Sequence, residues 1–170
     1  MTAHDPESSE RLREALHQAQ RQLGYLCETA ASLAPILPCS ADSLVRLEEQ
    51  RETRDLLVAF AARFGLLQEM LQNTLFRGIA ALEDERPASN RMLLEAMDRL
   101  GIVPSATDFL EDRKHRNVLA HLYVGDEARR ADALNYVYGR VEALADIIER
   151  ARRHLDLRLA DMRDAQRGQG

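Results

Sequence analysis

Apolar residues recur along most of the chain at alternating steps of three and four, the repeat that places them on one face of an α-helix. The first run begins after Asp5-Pro6-Glu7, where an N-cap aspartate, a first-turn proline and an early acid favour a helix start. Its apolar positions are Leu12, Leu16, Ala19, Leu23, Leu26, Ala30 and Leu33. Pro35 and Pro38 end it. The spacing predicts a long amphipathic helix with one buried seam.

A second pattern runs from Asp42 to about Glu85. Its apolar positions are Leu44, Leu47, Leu57, Phe60, Phe64, Leu67, Leu71, Leu75, Ile79 and Leu82. A charged interval, 48–55, separates the first two leucines from the rest. The pattern predicts either one helix of ~65 Å, at 1.5 Å per residue, or two helices that part near Thr53.

Three further helices are predicted after this pattern. Ser89 is a candidate N-cap for a short helix that Gly101 ends. Residues 105–108 have the spacing of a capping box and start a helix that carries the segment described below. Gly125-Asp126 marks a break and a new N-cap, from which one last long helix reaches about Met162.

The composition also favours an all-α fold. Hydrophobic residues make up 45% of the 170 and charged residues 30%, while glycine, proline and aromatic residues are sparse. This balance is typical of a helical protein rather than of a sheet or a disordered chain. The chain has no repeats and no linker, so we expect one domain over 1–170. We predict an antiparallel bundle of five or six helices, with disordered ends at 1–6 and 164–170.

Charge and cysteine content exclude several function classes. A net charge of -5 gives no global basic field, so contact with nucleic-acid phosphates must come from a local patch. Cys27 and Cys39 lie twelve residues apart without a CxxC pair or a paired histidine, so we expect no zinc site, redox motif or cofactor. The N-terminus lacks the apolar segment of a signal peptide, and the longest uncharged stretch, 29–41, is too short to span a membrane. We therefore expect a cytoplasmic protein.

The segment 112–123 combines a fixed cation, an imidazole and a phenol. Its core is Arg116-Asn117, three apolar residues, His121, one apolar residue and Tyr123. Arginine holds an anion with a planar fork of donors and histidine moves protons near neutrality, so this grouping suits work on a phosphate. On a straight helix Arg116 and His121 point about 140° apart and lie ~7.5 Å apart along the axis. Both therefore reach one atom only if the helix ends between them or a second chain contributes.

The residues from Arg116 to Tyr123, RNVLAHLY, resemble the R-x(4)-H-x-Y motif of HEPN domains. More narrowly, they resemble the HepT toxins, which are paired with minimal nucleotidyltransferase (MntA-like) antitoxins. The preceding LGIVP at 100–104 fits the same family, and the resemblance covers about 56–150. It implies a metal-independent ribonuclease built on an α-helical homodimer, with Arg116 and His121 of both protomers along the two-fold axis. It also implies that the antitoxin modifies Tyr123 with AMP.

The chemistry of RNA cleavage predicts roles for several polar residues of the segment. In metal-independent RNA cleavage His121 is base or acid and Arg116 stabilises the developing charge. Asn117, four residues before His121, can orient the imidazole or hold a phosphate oxygen. AMP on Tyr123, which shares a helical stripe with Arg116, would place a negative charge beside that arginine and switch the site off. A small phosphate-binding patch is expected just upstream, at Arg113, Lys114 and His115.

Other interpretations stay open. The chain could be a non-catalytic HEPN bundle that binds a nucleotide or presents substrate to a nucleotidyltransferase, with Arg116 and His121 as ligands. It has no G-S-x(n)-D-x-D motif of its own, so any nucleotidyltransferase activity would belong to a partner. It could also be a helical dimeric interaction protein, which the seam of the first helix favours. Arg116 could pair with Asp112 one turn earlier, His121 could be a half-buried structural histidine, and Tyr123 could close the bundle. His17 and His154 receive no role.

Overall fold

A computed structural model describes residues 6–120 and 125–167 of the chain. These ranges form α1 (Pro6–Leu33), α2 (Ala41–Glu49), α3 (Arg51–Met70), a π-helical segment (Leu71–Phe76), α4 (Arg77–Leu82), α5 (Asn90–Arg99), α6 (Ala106–Ala120), α7 (Glu127–Gly139) and α8 (Val141–Arg167). They contain no strand, so the predicted all-α fold is confirmed there. None of these helices is both long enough and apolar enough to cross a membrane. Helix α8 includes 164–167, part of the end predicted to be disordered.

The helix starts expected at three capping residues are confirmed. Ser89, Ser105 and Asp126 each accept a backbone N–H with a side-chain oxygen, at 3.2, 3.1 and 3.1 Å. Gly101, directly after the C-cap of α5, has a φ of 69°, which glycine adopts without strain. Local sequence signals therefore set the starts of α5, α6 and α7, and the last two of these helices line the candidate site.

Two long helical patterns are divided. The pattern from Asp42 to about Glu85 is interrupted at Gln50, inside the charged interval, so of the two alternatives the one with two helices is confirmed. The last pattern, from Asp126 to about Met162, predicts a single helix, and this prediction is wrong. The chain breaks at Arg140, between α7 and α8. The side chain of Arg140 reaches α6 from this break and contacts Asp112, which gives the interruption a physical reason.

Helix α3, the π-helical segment and α4 form a continuous rod, and α1 runs antiparallel to it. Near the start of α1, Leu12 packs against Gly78, where an added Cβ would lie only 2.6 Å from the leucine Cδ1. Near its end, the backbone carbonyl of Tyr25 accepts a hydrogen bond from Arg63 at 3.1 Å. The largest fully buried side chains include Phe60, Phe64, Phe76 and Phe109.

Helix α6 packs on another side of the same rod, also antiparallel. At its first turn, Phe109 contacts Phe76 with ring centroids 5.5 Å apart. At its last turn, Arg116 lies against Gly65 of α3. The described part of the chain is therefore a bundle of antiparallel helices, in which α3 and α6 together position Arg116.

Candidate functional site

An open groove of about 670 Å³ lies beside α3, and we call it the α3 groove. Helices α2, α6 and α7 form its other sides. Its apolar lining comprises Leu44, Leu57, Val58, Ala61, Ala62, Gly65, Leu66, Leu119, Ala120 and Leu134. Charged side chains also line it, namely Glu48, Arg54, Glu69, Arg116 and Arg130. An apolar groove with a few charged groups is a common form of binding site.

Arg116 lies on the wall of the α3 groove, with its side chain only 17% exposed. Its Nη1 donates to Glu69 Oε1 at 3.1 Å and its Nη2 donates to Asn117 Oδ1 at 3.2 Å. A guanidinium has five N–H donors, and these contacts use two of them. Gly65 leaves room for the arginine stem, because a Cβ there would lie 3.2 Å from the Cδ of Arg116. The sequence-based alternative of a pair with Asp112 is wrong, since that carboxylate binds Arg140.

Asp112 is fully buried and anchors α6 to the junction of α7 and α8. Its two oxygens accept from Arg140 Nε at 2.7 Å and Nη2 at 3.3 Å, and the Tyr136 hydroxyl lies near it. Burial raises the pKa of Asp112, although Arg140 opposes this shift. Burial and the neighbouring carboxylate raise the pKa of Tyr136 to about 12. This network fixes the rotation of α6 and so directs Arg116, one turn later, toward α3.

The three residues predicted to form a phosphate-binding patch do not share one environment. Arg113 and Lys114 are exposed, and Lys114 pairs with Glu111. His115 is half-buried and stacks on Tyr136, with ring centroids 3.9 Å apart and planes inclined by 18°. Stacking places His115 on the α7 side of α6, away from the Arg116 contact with α3.

Asn117 is exposed and contacts Arg116 directly, so these two predicted residues do come together. His121 and Tyr123 lie outside the described residues. Helix α6 is described up to Ala120, which lines the α3 groove and directly precedes His121 in the chain.

Sequence reasoning missed Gly65, Glu69 and Arg140. Gly65 carried a weak signal, because a glycine inside a helical pattern often marks a close approach. Glu69 carried none, since acids on helix surfaces are common. Within the described ranges, no group of three His, Cys, Asp or Glu residues is arranged to hold a metal ion.

No protein-family model, curated protein or solved structure matches the chain. The resemblance to HEPN toxins therefore depends on the motif residues, and the site must be judged by its own geometry.

Proposed function

We propose that this chain is the toxin of a toxin-antitoxin pair and acts as a metal-independent endoribonuclease of the HEPN class. The observation that carries the proposal is the placement of Arg116 on the wall of an open groove, oriented by Glu69 and Asn117. A cation held in this way is suited to a phosphate that binds from solvent. The order of residues in the motif adds a histidine five positions later in the chain.

The proposed reaction breaks one phosphodiester bond and uses no cofactor. The 2′-oxygen of a nucleotide attacks the adjacent phosphorus and gives its proton to His121. The bond from phosphorus to the 5′-oxygen breaks, and that oxygen takes a proton from His121 of the partner subunit. Arg116 stabilises the added charge on the phosphate oxygens, while Asn117 orients the guanidinium. The products are a 2′,3′-cyclic phosphate and a 5′-hydroxyl.

The proposal includes a homodimer, because Arg116 and His121 diverge on one straight helix. Two copies arranged around a two-fold axis would supply two histidines to one RNA strand. One histidine would be the base and the other the acid.

Glu69 gives the site a resting state. Its carboxylate now occupies Arg116, so an RNA phosphate must compete with it for the guanidinium. The Glu69 side chain is 57% exposed and can move toward water when a phosphate arrives. RNA binding would therefore exchange a weak surface pair for a contact with a phosphate.

The proposed control is AMP transfer to the Tyr123 hydroxyl by a minimal nucleotidyltransferase antitoxin. The transfer would add one phosphate charge and a purine near Arg116. Charge competition and steric blockage would then act together against RNA.

The test uses purified full-length protein, a single-stranded RNA and excess EDTA. The parent should yield fragments with a 2′,3′-cyclic phosphate. Arg116→Ala and His121→Ala should lose roughly 10²- to 10⁴-fold in rate while keeping their helical content. Arg91→Ala, which changes an exposed arginine on α5, is the matched control and should cleave like the parent. Dependence on a divalent metal, or full activity in both site variants, would refute the proposed mechanism.

A second candidate is nucleotide binding without cleavage. The mostly apolar walls of the α3 groove favour it, because a base can pack there while Arg116 holds a phosphate. In the same samples, a nucleotide that binds the parent but not Arg116→Ala, with no RNA cut by either protein, would support this function instead.

A further inference from the structure

Helix α3 carries a second apolar stripe that the core does not use. Val58, Ala62 and Leu66 follow each other at steps of four and are exposed to solvent. Val58 is 56% exposed and Leu66 46%. We call this stripe the α3 ridge. It borders the α3 groove, so a ridge and a groove lie side by side on the same surface.

The α3 ridge is nearly symmetric about Ala62. Val58 lies four residues before this alanine and Leu66 four residues after it. Arg54 lies eight residues before it and Glu69 seven residues after it. A two-fold axis through Ala62 would therefore bring apolar residues together at the centre and opposite charges together at both ends.

The shape of the surface fits the same operation. The wall of the α3 groove next to the ridge consists of Leu57, Ala61 and Gly65; Ala61 has a small side chain, while the stem of Arg116 lies over Gly65. Small residues let a second helix approach closely, and a ridge of one helix packs into the groove of another. Because ridge and groove are adjacent, one two-fold rotation satisfies both copies at once.

We propose that two copies of this chain dimerise through α3, with the ridge of each copy packed on the α3 wall of the partner's groove and the α6 side of that groove, which carries Arg116, left open to RNA. Val58 packs on Leu66 of the partner subunit, and Arg54 pairs with Glu69 of the partner subunit. This inference identifies the interface of the dimer included in the proposed function and rests on it for the role of the completed site.

The dimer would change the surroundings of Arg116. Glu69 now holds this arginine at 3.1 Å, whereas Arg54 donates only a 3.4 Å hydrogen bond to the backbone carbonyl of Glu48. In the dimer Arg54 of the partner subunit reaches the same Glu69 carboxylate. Two arginines from two chains then share one acid, so the partner adds a second cation to the site.

The first test is a cysteine placed on the axis. Ala62→Cys, in a background of Cys27→Ser and Cys39→Ala, should form a disulfide with its own copy under mild oxidation. A residue on a two-fold axis at a close helix contact meets the distance that a disulfide requires, about 4.4–6.8 Å between Cα atoms. Met92→Cys in the same background is the control, since Met92 is also exposed but lies on α5. It should stay uncrosslinked.

The second test exchanges the charges at the ends of the ridge. Arg54→Glu and Glu69→Arg should each raise the dimer Kd by about tenfold or more, because each homodimer acquires two like-charge contacts. An equimolar mixture of the two variants should regain tight dimers, since both contacts then join opposite charges. Sedimentation with one variant labelled reads out the mixed species directly.

Three results would overturn the inference: a monomeric parent at micromolar concentration, equal crosslinking of Ala62→Cys and Met92→Cys, or a mixture that associates no better than its components. These results are separate from those for the nuclease. Crosslinking of Ala62→Cys, combined with a parent protein that cuts no RNA, supports the interface and contradicts the ribonuclease. A parent protein that cuts RNA, combined with negative results in the crosslinking and charge-exchange tests, supports the ribonuclease and contradicts the α3 interface.

Discussion

The guanidinium of Arg116 and the carboxylate of Glu69 lie 3.1 Å apart and join the C-terminal part of α6 to the last turn of α3. The residues are 47 positions apart in the chain, so the fold creates this pair. An anion that binds this arginine must therefore compete with the glutamate for the positive charge of the guanidinium.

Replacing that acid should therefore strengthen RNA binding. Glu69→Gln removes the competing charge, and an exposed pair of this kind is worth up to ~1 kcal/mol, so we expect affinity to rise by about two- to fivefold. Fluorescence anisotropy with a 2′-deoxy substituted oligonucleotide, which cannot be cleaved, measures the effect. Glu95→Gln on α5 also removes an acid paired with an arginine and is the control. The binding measurements should be made at a concentration where the parent and the variants have the same oligomeric state by sedimentation. Unchanged or weaker RNA binding by Glu69→Gln would argue against competition between Glu69 and RNA.

Alanine substitutions at Gly24 and Gly65 distinguish the gain in helix propensity from the effect of crowding Arg116. Gly24→Ala on α1 places its Cβ in open space, so it should raise the free energy of unfolding by about 0.5–1 kcal/mol. Gly65→Ala brings its Cβ to 3.2 Å from Arg116 Cδ and must push the arginine stem aside. It should stabilise the chain less and reduce RNA cleavage by about three- to tenfold, because small displacements of positioned groups lower rates. Urea denaturation and cleavage assays on both variants test this, and equal behaviour of the two would contradict it.

The buried pair of Asp112 and Arg140 should dominate the stability of α6. Arg140→Gln leaves a fully buried carboxylate without its cation, which typically costs about 3–5 kcal/mol at pH 7. Urea denaturation measures this loss. Arg91→Gln, which changes an arginine exposed on α5, should cost less than about 1 kcal/mol.

The same variant should regain stability in acid. Burial already raises the pKa of Asp112 above its ordinary value, and loss of Arg140 removes an effect that lowers it. A folded-state pKa above the unfolded value means that folding takes up a proton between the two values, so stability rises as pH falls through this window. The deficit of Arg140→Gln relative to the parent should therefore shrink between pH 7 and pH 4. In a background that carries Asp112→Asn, the loss of stability caused by Arg140→Gln should not shrink over this pH range, because the titrating group is then absent.

Modification by an antitoxin should map to one tyrosine. Coexpression with a minimal nucleotidyltransferase should add AMP to the parent, whereas Tyr123→Phe should escape modification and keep much of its nuclease activity. The structure describes three other tyrosines. The Tyr136 hydroxyl lies near Asp112 and Tyr138 packs on Phe60, while Tyr25 is 43% exposed. Tyr25→Phe is therefore the matched control and should be modified like the parent. Intact mass and peptide mapping decide, and label confined to other residues would exclude the proposed switch.

Sequence reasoning predicted the helices well because each carries its own periodic seam and its own caps. It failed at Arg140, since Val137, Val141 and Leu144 continue the steps of four and three straight across the break. The spacing of apolar residues shows which face of a helix is buried, but it does not reveal a break of only one residue between two helices.

The candidate site was only partly legible for a related reason. The motif pointed to Arg116 and Asn117, which the fold does bring together. Their environment depends on Gly65 and Glu69, whose distance along the chain gives no local signal. The expected pair of Arg116 with Asp112 failed because a neighbour four residues away competes with partners from other helices, and Arg140 holds Asp112.

Arg140 also connects three helices at one position. It is the single residue between α7 and α8, and its side chain grips Asp112 on the helix that carries Arg116. Helix α8, with 27 residues, extends ~40 Å from this position. The placement of α8 and the direction of Arg116 are therefore linked through one ion pair, so a change in how α8 packs would alter the position of α6.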